Sequence, residues 1–402
     1  MIYDAIIVGL GPGGSVAART LAKHGMRVLA LEKAHMPRYK PCGGALSTRV
    51  RHVLDDDLCD VIEATVYGSA FTFCGTERFS ARFHKPVVQM VMRPQFDQLL
   101  SQSARDAGAE IREEERVRSL RPRHADVEVR TSHGIYRAAW LIGADGASSL
   151  VRRYVIQRHQ ADPIAGLEAE ITPEHQIVQQ YTEEVTLDFG ALPHGYSWVF
   201  PKRAHLSVGI SGAFRQVTHP RHLYGQFLKH EGLGRWTDEK VYGHIIPIYL
   251  GRPINVQQGR LLLVGDAARL ADPFLGEGIY YAIKSAHIAS HALLDAGPQA
   301  HTAGMLYEER LQAQVVTELR TALKVARLLY GFPHYGYHLF KTHPALVDHY
   351  FRVLCGDIGL DIFYRALRRT ALGNLLRSTR WLRDVQIRMP LLTGHKVFAS
   401  GR

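Results

Sequence analysis

Nowhere in the 402 residues do 18 uncharged apolar residues run together, so no transmembrane helix is expected. The chain has no low-complexity tract, no Pro-rich or Gly/Ser-rich linker and no internal repeat. It reads as folded rather than disordered, and not as a solenoid. Cysteine is scarce. Cys42, Cys59, Cys74 and Cys355 contain no CxxC pair and are expected to be free thiols. The 22 histidines are scattered, and no metal site is expected from them. The N-terminal MIYDAIIVGLGPGG lacks the basic leader of a secretory signal and runs straight into a glycine motif. A cytoplasmic location is therefore the default expectation.

What is present is apolar residue, 46% of the chain, enough for a large core shared by two domains. The formal net charge is +11 and is unevenly placed. From Phe332 to Arg402 there are 11 Lys/Arg and 4 Asp/Glu, so +7 of the +11 lies in the last 71 residues. Seven arginines between Arg365 and Arg388, with Asp384 the one acid, interleave with Leu367, Leu372, Leu375, Leu376, Trp381, Leu382 and Ile387. A helix there would be basic and amphipathic, suited to peripheral contact with an anionic membrane face. Nucleic acid is not an expected partner.

Tyr3 to Val8 is an apolar run that reads as a buried parallel strand. Ser15 to His24 reads as a helix stopped by Gly25, and Arg27 to Glu32 as the next strand, which makes a βαβ unit. Further along come a helix at Arg93 to Ala107, buried strands at Ala138 to Gly143 and Arg260 to Val264, and a helix from about Gly278 to Leu294. Between Ala165 and Ile210 alternating segments joined by turns suggest an antiparallel sheet. The expected fold class is α/β, α+β overall. Residues 1–55, 93–155 and 256–330 form a discontinuous Rossmann-like nucleotide-binding domain. Residues 56–92 and 156–255 form an inserted, mostly antiparallel substrate domain, and 331–402 a helical, basic C-terminal region.

The turn Gly9-Leu10-Gly11-Pro12-Gly13-Gly14 fits GxGxxG between that first strand and helix, with acidic Glu32 18 residues past Gly14. Gly9 permits the tight turn, Gly11 lets backbone approach a pyrophosphate, and Gly14 lets helix and strand pack closely. Glu32 suits ribose hydroxyls and disfavours a 2′-phosphate. FAD and NAD both satisfy this much. Asp266, just past the strand RLLLV, can take ribityl hydroxyls, and Pro273, Gly276 and Gly278 form an irregular loop at a helix start. A helix N-terminus there would stabilise the negative charge of a reduced flavin, which favours FAD.

These segments, with GADGASSLVRR at 143–153 and GDAARLADPFLGEG at 265–278, resemble the three flavin motifs of the p-hydroxybenzoate hydroxylase fold. Arg93 in VMRPQFDQLL matches an arginine that this superfamily carries on the helix after its middle segment. Lys40-Pro41-Cys42-Gly43-Gly44-Ala45-Leu46 and Tyr196-Ser197-Trp198-Val199-Phe200-Pro201 resemble the PCGG and YxWxFP motifs of geranylgeranyl reductases; Ser211 replaces the second glycine of their GxG. The resemblance implies FAD-dependent reduction of carbon–carbon double bonds in an isoprenoid chain. Its implied cofactor contacts are Gly9, Gly11, Pro12, Gly13, Gly14, Glu32, Lys33, Arg93, Asp145, Gly146, Asp266, Pro273, Gly276, Gly278 and Ile279. The implied substrates are a prenylated lipid, a quinone, a chlorophyll precursor or a prenyl diphosphate.

Tyr196, Trp198 and Phe200 alternate along one strand and so share a face, where with Gly209 they are expected to line an apolar cavity. The expected chemistry is hydride transfer from reduced flavin N5 with protonation of the other alkene carbon, aromatic faces tolerating the positive charge that develops. Cys42, Tyr196 and Trp198 are the candidate catalytic residues; Cys42 is expected in a loop that Gly43 and Gly44 leave flexible. No second GxGxxG unit is present, so the electron donor is expected to dock transiently: NADPH, a deazaflavin or a ferredoxin-like protein. The alternatives are a flavin monooxygenase or halogenase of the same fold and a non-catalytic flavoprotein at a membrane surface.

Overall fold

A computed structural model describes residues 2–156, 164–213, 216, 219–236, 240–297 and 300–377. Its largest sheet has Tyr3–Val8 at the centre. Parallel neighbours are Ile135–Gly143 and then Leu261–Leu263 on one side, Val28–Leu31 and then Glu110–Arg112 on the other. The Val117–Pro122 and Val127–Thr131 hairpin joins it antiparallel. The central strands are apolar on both faces because helices cover them; Ile6, Ile7, Leu29, Leu141 and Leu262 are all fully buried.

The first helix, Pro12–Lys23, begins three residues before the expected Ser15. Proline has a preset φ and needs no N–H at the first helical position, so it starts the helix and leaves Gly11 as N-cap. This helix packs against the Ile279–Ala296 helix, where a Cβ on Gly13 would lie 2.9 Å from the Ala282 carbonyl oxygen.

A second sheet runs Tyr242–Ile246, Ile164–Ile171, Leu206–Gly212, Tyr196–Pro201, Glu184–Phe189, Gly68–Phe73, Glu77–Arg82. All pairs are antiparallel except Glu184–Phe189 with Gly68–Phe73. A third, small sheet unites Ala45–Ser47, Val88–Val91 and Ile62–Val66. Ala45–Ser47, expected with the nucleotide-binding segments, thus pairs with strands expected in the substrate part, because the chain crosses over at Gly44, whose carbonyl accepts the Val91 N–H at 2.8 Å.

The C-terminal helices Thr317–Gly331, Pro333–Thr342, Pro344–Cys355 and Leu360–Arg377 are part of the core rather than an appendage. They dock on the second sheet through aromatic contacts. Phe71 meets Phe340 and Tyr350 edge-on at 5.6 and 5.9 Å between ring centroids, each pair contributing about 0.5–1.5 kcal/mol beyond buried area. Of the basic segment, the Leu360–Arg377 helix exposes Ile362, Arg365, Arg368, Arg369 and Leu372. Arg380, Trp381, Leu382, Arg383, Asp384, Ile387 and Arg388 lie outside the described residues. No helix among the described residues is long and apolar enough to cross a membrane.

Candidate active site

One cavity of about 770 Å³ runs from the glycine turn to the C-terminal helices. Every expected cofactor contact except Gly14 lines it, as do Cys42, Tyr196, Trp198 and Phe200. Gly14 stands behind the wall: a Cβ there would lie 1.8 Å from the Gly9 carbonyl oxygen, the close helix–strand packing expected of it. Gly209 also departs from its expected place. It pairs with Trp198 across the ladder, and its missing side chain makes room for the indole, whose Cζ2 lies 2.2 Å from where a Cβ would be. Its contribution is to seat Trp198.

At one end of the cavity Gly9 holds φ +95°, a conformation that favours glycine. The N-terminus of the first helix has no side-chain cap, and two guanidiniums face it: a Cβ at Gly11 would lie 3.8 Å from Arg93 and 3.9 Å from Arg38. Unpaired amides, a helix dipole and two cations make a cradle that fits a diphosphate. Both arginines share buried Asp97, Arg93 through two bonds of 2.8 and 2.7 Å and Arg38 at 3.0 Å. Glu32 accepts the Leu10 N–H at 2.9 Å and the Ala34 N–H at 3.2 Å, so it braces the glycine turn while lining the cavity. Asp145 organises its own loop by accepting from the Ser149 hydroxyl and the Leu150 and Val151 amides.

Asp266 lies 3.7 Å from Lys40 Nζ. Burial, then Arg93, holds the Lys40 ammonium below the usual lysine range. His244 adds a buried Nε2 with no partner; burial, then Lys40, lowers its pKa to about 4. Trp198 Nε1 is likewise buried and unpartnered. Orphaned buried nitrogens on a cavity wall are costly, and together with the cradle they fit a polar, phosphate-bearing cofactor such as FAD.

The Pro273–Gly278 loop is shaped from inside by Asp272, which accepts the Phe274 and Leu275 amides at 2.6 and 2.9 Å. Burial pushes its carboxyl up to about 7. Buried Arg49 pairs with Glu277 and with Glu318, tying this loop to the Thr317–Gly331 helix. Tyr196 donates its hydroxyl to the Leu275 carbonyl at 3.1 Å.

The cavity face of the second sheet is divided. Register places Tyr196, Trp198 and Phe200 beside Leu187 and Phe189 on one side, and beside Gly209, Glu168 and then Tyr242 on the other. The aromatic half continues through Phe71 and is roofed by Leu329, Tyr330, Phe340 and Leu354. The Lys40–Leu46 loop lies over the boundary, and its glycines serve close approach, not flexibility. A Cβ on Gly43 would lie 2.7 Å from Phe200, and one on Gly44, at φ +67°, 2.0 Å from the Val91 carbonyl. Buried Lys202 pins the loop from below by donating to the carbonyls of Gly43 (2.7 Å) and Val91 (3.2 Å). Cys42 Sγ accepts the Gly44 N–H at 3.4 Å and lies against the Arg93 guanidinium.

Arg38, Lys40, Glu168, Lys202, His244 and the C-terminal wall were absent from the sequence-based set. Arg38 and Lys40 lie just before PCGG and Lys202 directly follows YSWVFP, a proximity that offered a signal; nothing local marked the expected C-terminal helices as a cavity wall. His287 and His291 stand one helical turn apart, their ring centroids 6.4 Å apart. Among the described residues no group of three metal-ligating side chains gathers there or elsewhere.

Residues 2–194 match the family model for an FAD binding domain. A geranylgeranyl diphosphate reductase of Rhodobacter capsulatus is 31% identical over 340 residues, 82% of this chain and 84% of that protein. The chain belongs to the geranylgeranyl reductase family. It is an FAD-dependent oxidoreductase. Another relative in this family, the digeranylgeranylglycerophospholipid reductase 1 of Methanopyrus kandleri, is 29% identical over 82% of this chain and 91% of its own length. A solved structure of a geranylgeranyl bacteriochlorophyll reductase-like protein from Thermoplasma acidophilum superposes with a TM-score of 0.72 at 24% identity. It covers 82% of this chain and 88% of that one, which establishes the shared fold of this geranylgeranyl reductase family member.

Proposed function

We propose that this enzyme reduces carbon–carbon double bonds in a geranylgeranyl-type chain. The observation that carries the reading is the single cavity that joins a diphosphate cradle to an aromatic sleeve walled by Tyr196, Trp198, Phe200, Tyr330 and Phe340. FAD is assigned to Gly9, Gly11, Pro12, Gly13, Glu32, Lys33, Arg38, Arg93, Asp145, Gly146, Asp266, Pro273, Gly276, Gly278 and Ile279, with Gly14 behind them holding the helix against the strand. Once reduced, bound FAD supplies a hydride. The chain's residues do the rest. The aromatic sleeve takes the apolar tail and excludes water. The faces of Trp198 and Phe200 stabilise positive charge developing on a branched alkene carbon. Lys202, through Gly43, fixes the loop that carries Cys42. The domain boundaries 1–55, 93–155 and 256–330 against 56–92 and 156–255, with 331–402 as a third region, are part of the same proposal. So is transient docking of an electron donor, NADPH, a deazaflavin or a ferredoxin-like protein.

Photoreduced enzyme mixed with a geranylgeranyl lipid under argon should regain oxidised-flavin absorbance. Reoxidation that occurs only when oxygen is admitted, with or without the lipid, would favour the monooxygenase or halogenase alternative.

The exposed Arg365, Arg368 and Arg369 with Ile362 and Leu372 support peripheral contact with an anionic bilayer. Each basic residue near such a surface contributes about 1 kcal/mol. Replacing Arg365, Arg368 and Arg369 by Gln should reduce co-sedimentation with anionic liposomes and leave neutral ones unchanged. Equal sedimentation of variant and parent would refute the contact.

A further inference from the structure

The proton that must accompany the hydride needs a source, and the three candidate catalytic residues named from sequence are poorly placed to be it. The Tyr196 hydroxyl is committed to the Leu275 carbonyl. Cys42 Sγ is held by the Gly44 amide and lies against Arg93. The Trp198 Nε1–H belongs to a ring that does not titrate.

Glu168 differs in every respect. It is only 4% exposed, lines the cavity and stands in one cross-strand row with Gly209 and Trp198. Its Oε1 accepts the Tyr39 hydroxyl at 2.8 Å, and the Cys42 backbone amide lies beside its carboxylate. Tyr39 is 37% exposed and its ring is held against Tyr242 at 4.6 Å. Tyr39 therefore connects a partly exposed ring to a carboxyl that is almost entirely buried.

On the proposed reading of the reaction, we infer that Glu168 is the proton store of the active site, filled from solvent through Tyr39 and emptied into the cavity beside Cys42. The balance is simple. Of the two hydrogens added to the double bond, one arrives as hydride and the other as the Glu168 proton, passed through cavity water. The alkene π bond, the N5–H bond of the reduced FAD that would be bound here and the Glu168 O–H bond break, and two C–H bonds form; the flavin would be oxidised by two electrons as the alkene is reduced. The carboxylate that remains is reprotonated as Tyr39 gives its proton and takes another from solvent. Burial, then Glu168, holds the Tyr39 phenol above its ordinary pKa, so Tyr39 relays without persisting as phenolate.

The surroundings suit a store that fills near neutrality. Burial pushes the Glu168 carboxyl up to about 7; Tyr39 and the Cys42 amide pull it down, Glu170 pushes it up, and Lys202 pulls it down. Glu170, two residues along the same face, is itself 3.1 Å from His205. His244 and Tyr242 stand on the adjoining strand. A group with its pKa raised in this way is charged with its proton below about 7 and empty above it, so turnover should fall as pH rises through that value.

Infrared difference spectra of the FAD-loaded protein between about pH 6 and about pH 8 should contain a protonated-carboxyl band that is absent in Glu168→Gln. Asp272 gives a second such band that Glu168→Gln leaves in place. Gln still accepts a hydrogen bond, so FAD content should be unchanged. Anaerobic turnover of a geranylgeranyl compound should fall about 100-fold and lose its alkaline decline. Tyr39→Phe should keep the band and slow turnover by about 10-fold. Glu168→Gln with the parent rate and the same alkaline limb, or with no titrating band removed, would overturn the inference. If the parent shows the Glu168 band but turns over no prenyl compound, the proton store stands and the isoprenoid reading fails.

Discussion

Gly14→Ala is expected to give a protein that neither retains FAD nor folds with its parent's stability. The added Cβ would lie 1.8 Å from the Gly9 carbonyl oxygen, 2.9 Å from its carbon and 3.2 Å from Ala144 Cβ. The obstructing oxygen is backbone, so no rotamer relieves the clash. Gly9 cannot yield either, because its N–H is bonded to the Leu31 carbonyl at 2.8 Å and its φ is +95°. The helix must therefore withdraw from the strand, which opens the diphosphate cradle. Ordinary overpacking costs about 1–3 kcal/mol; a backbone clash this deep belongs above about 4 kcal/mol. Flavin absorbance after purification and a urea unfolding curve check this. A yellow protein with an unchanged midpoint would show that the packing is looser than described.

Arg93→Ala should cost both stability and cofactor, and the two losses can be separated. Arg93 is buried and holds Asp97, itself fully buried, through two hydrogen bonds. Removing one partner of a buried pair costs about 3–5 kcal/mol; Arg38, which keeps its 3.0 Å bond to Asp97, should hold the loss to the lower part of that range. The same change strips one of the two cations facing Gly11, so FAD affinity should fall about 10–100-fold, the effect of about 1.5–3 kcal/mol for a charge-assisted bond. Adding Asp97→Asn should recover much of the stability and none of the FAD affinity. Arg93→Lys should recover little of either, since an ammonium cannot reproduce the two-pronged bond. Urea unfolding of the apoprotein and fluorescence titration with FAD report the two quantities independently.

The features legible in the sequence were those set by local rules. A short apolar run, a glycine turn and an acidic strand end constrain backbone geometry within some 30 residues, and the βαβ unit at Tyr3–Leu31 formed with shifts of a few residues at its ends. Pro12 could have moved the helix start from Ser15 to its observed place, because proline preferentially opens helices. The period-two reading put Tyr196, Trp198 and Phe200 on one face, as the ladder does.

What was not legible depends on contacts distant in sequence. Gly209 reads as a wall residue until Trp198 is seen to occupy its space. Gly43 and Gly44 read as a hinge until Phe200, Val91 and Lys202 are seen to press on them. Glu168 and Tyr39 are 129 residues apart, and neither belongs to a motif. The C-terminal helices carry no periodicity that reveals which sheet they cover; the cluster of Phe71, Phe340 and Tyr350 decides it. The segment from Arg365 to Arg388 read as a basic amphipathic surface, yet in the Leu360–Arg377 helix that carries its described part Phe363 and Leu367 are buried in the core behind the candidate site.

On the proposed function, one cavity brings an isoprenoid double bond to FAD for reduction. The mass of the product distinguishes this reduction from oxygenation or halogenation. FAD-loaded enzyme, reduced chemically under argon, should convert a geranylgeranyl compound into species heavier by two hydrogens for each double bond reduced, with no oxygen or halogen incorporated. A prenyl compound recovered unchanged from enzyme whose flavin is fully reduced, or a product that carries an added oxygen atom once air is admitted, would contradict it.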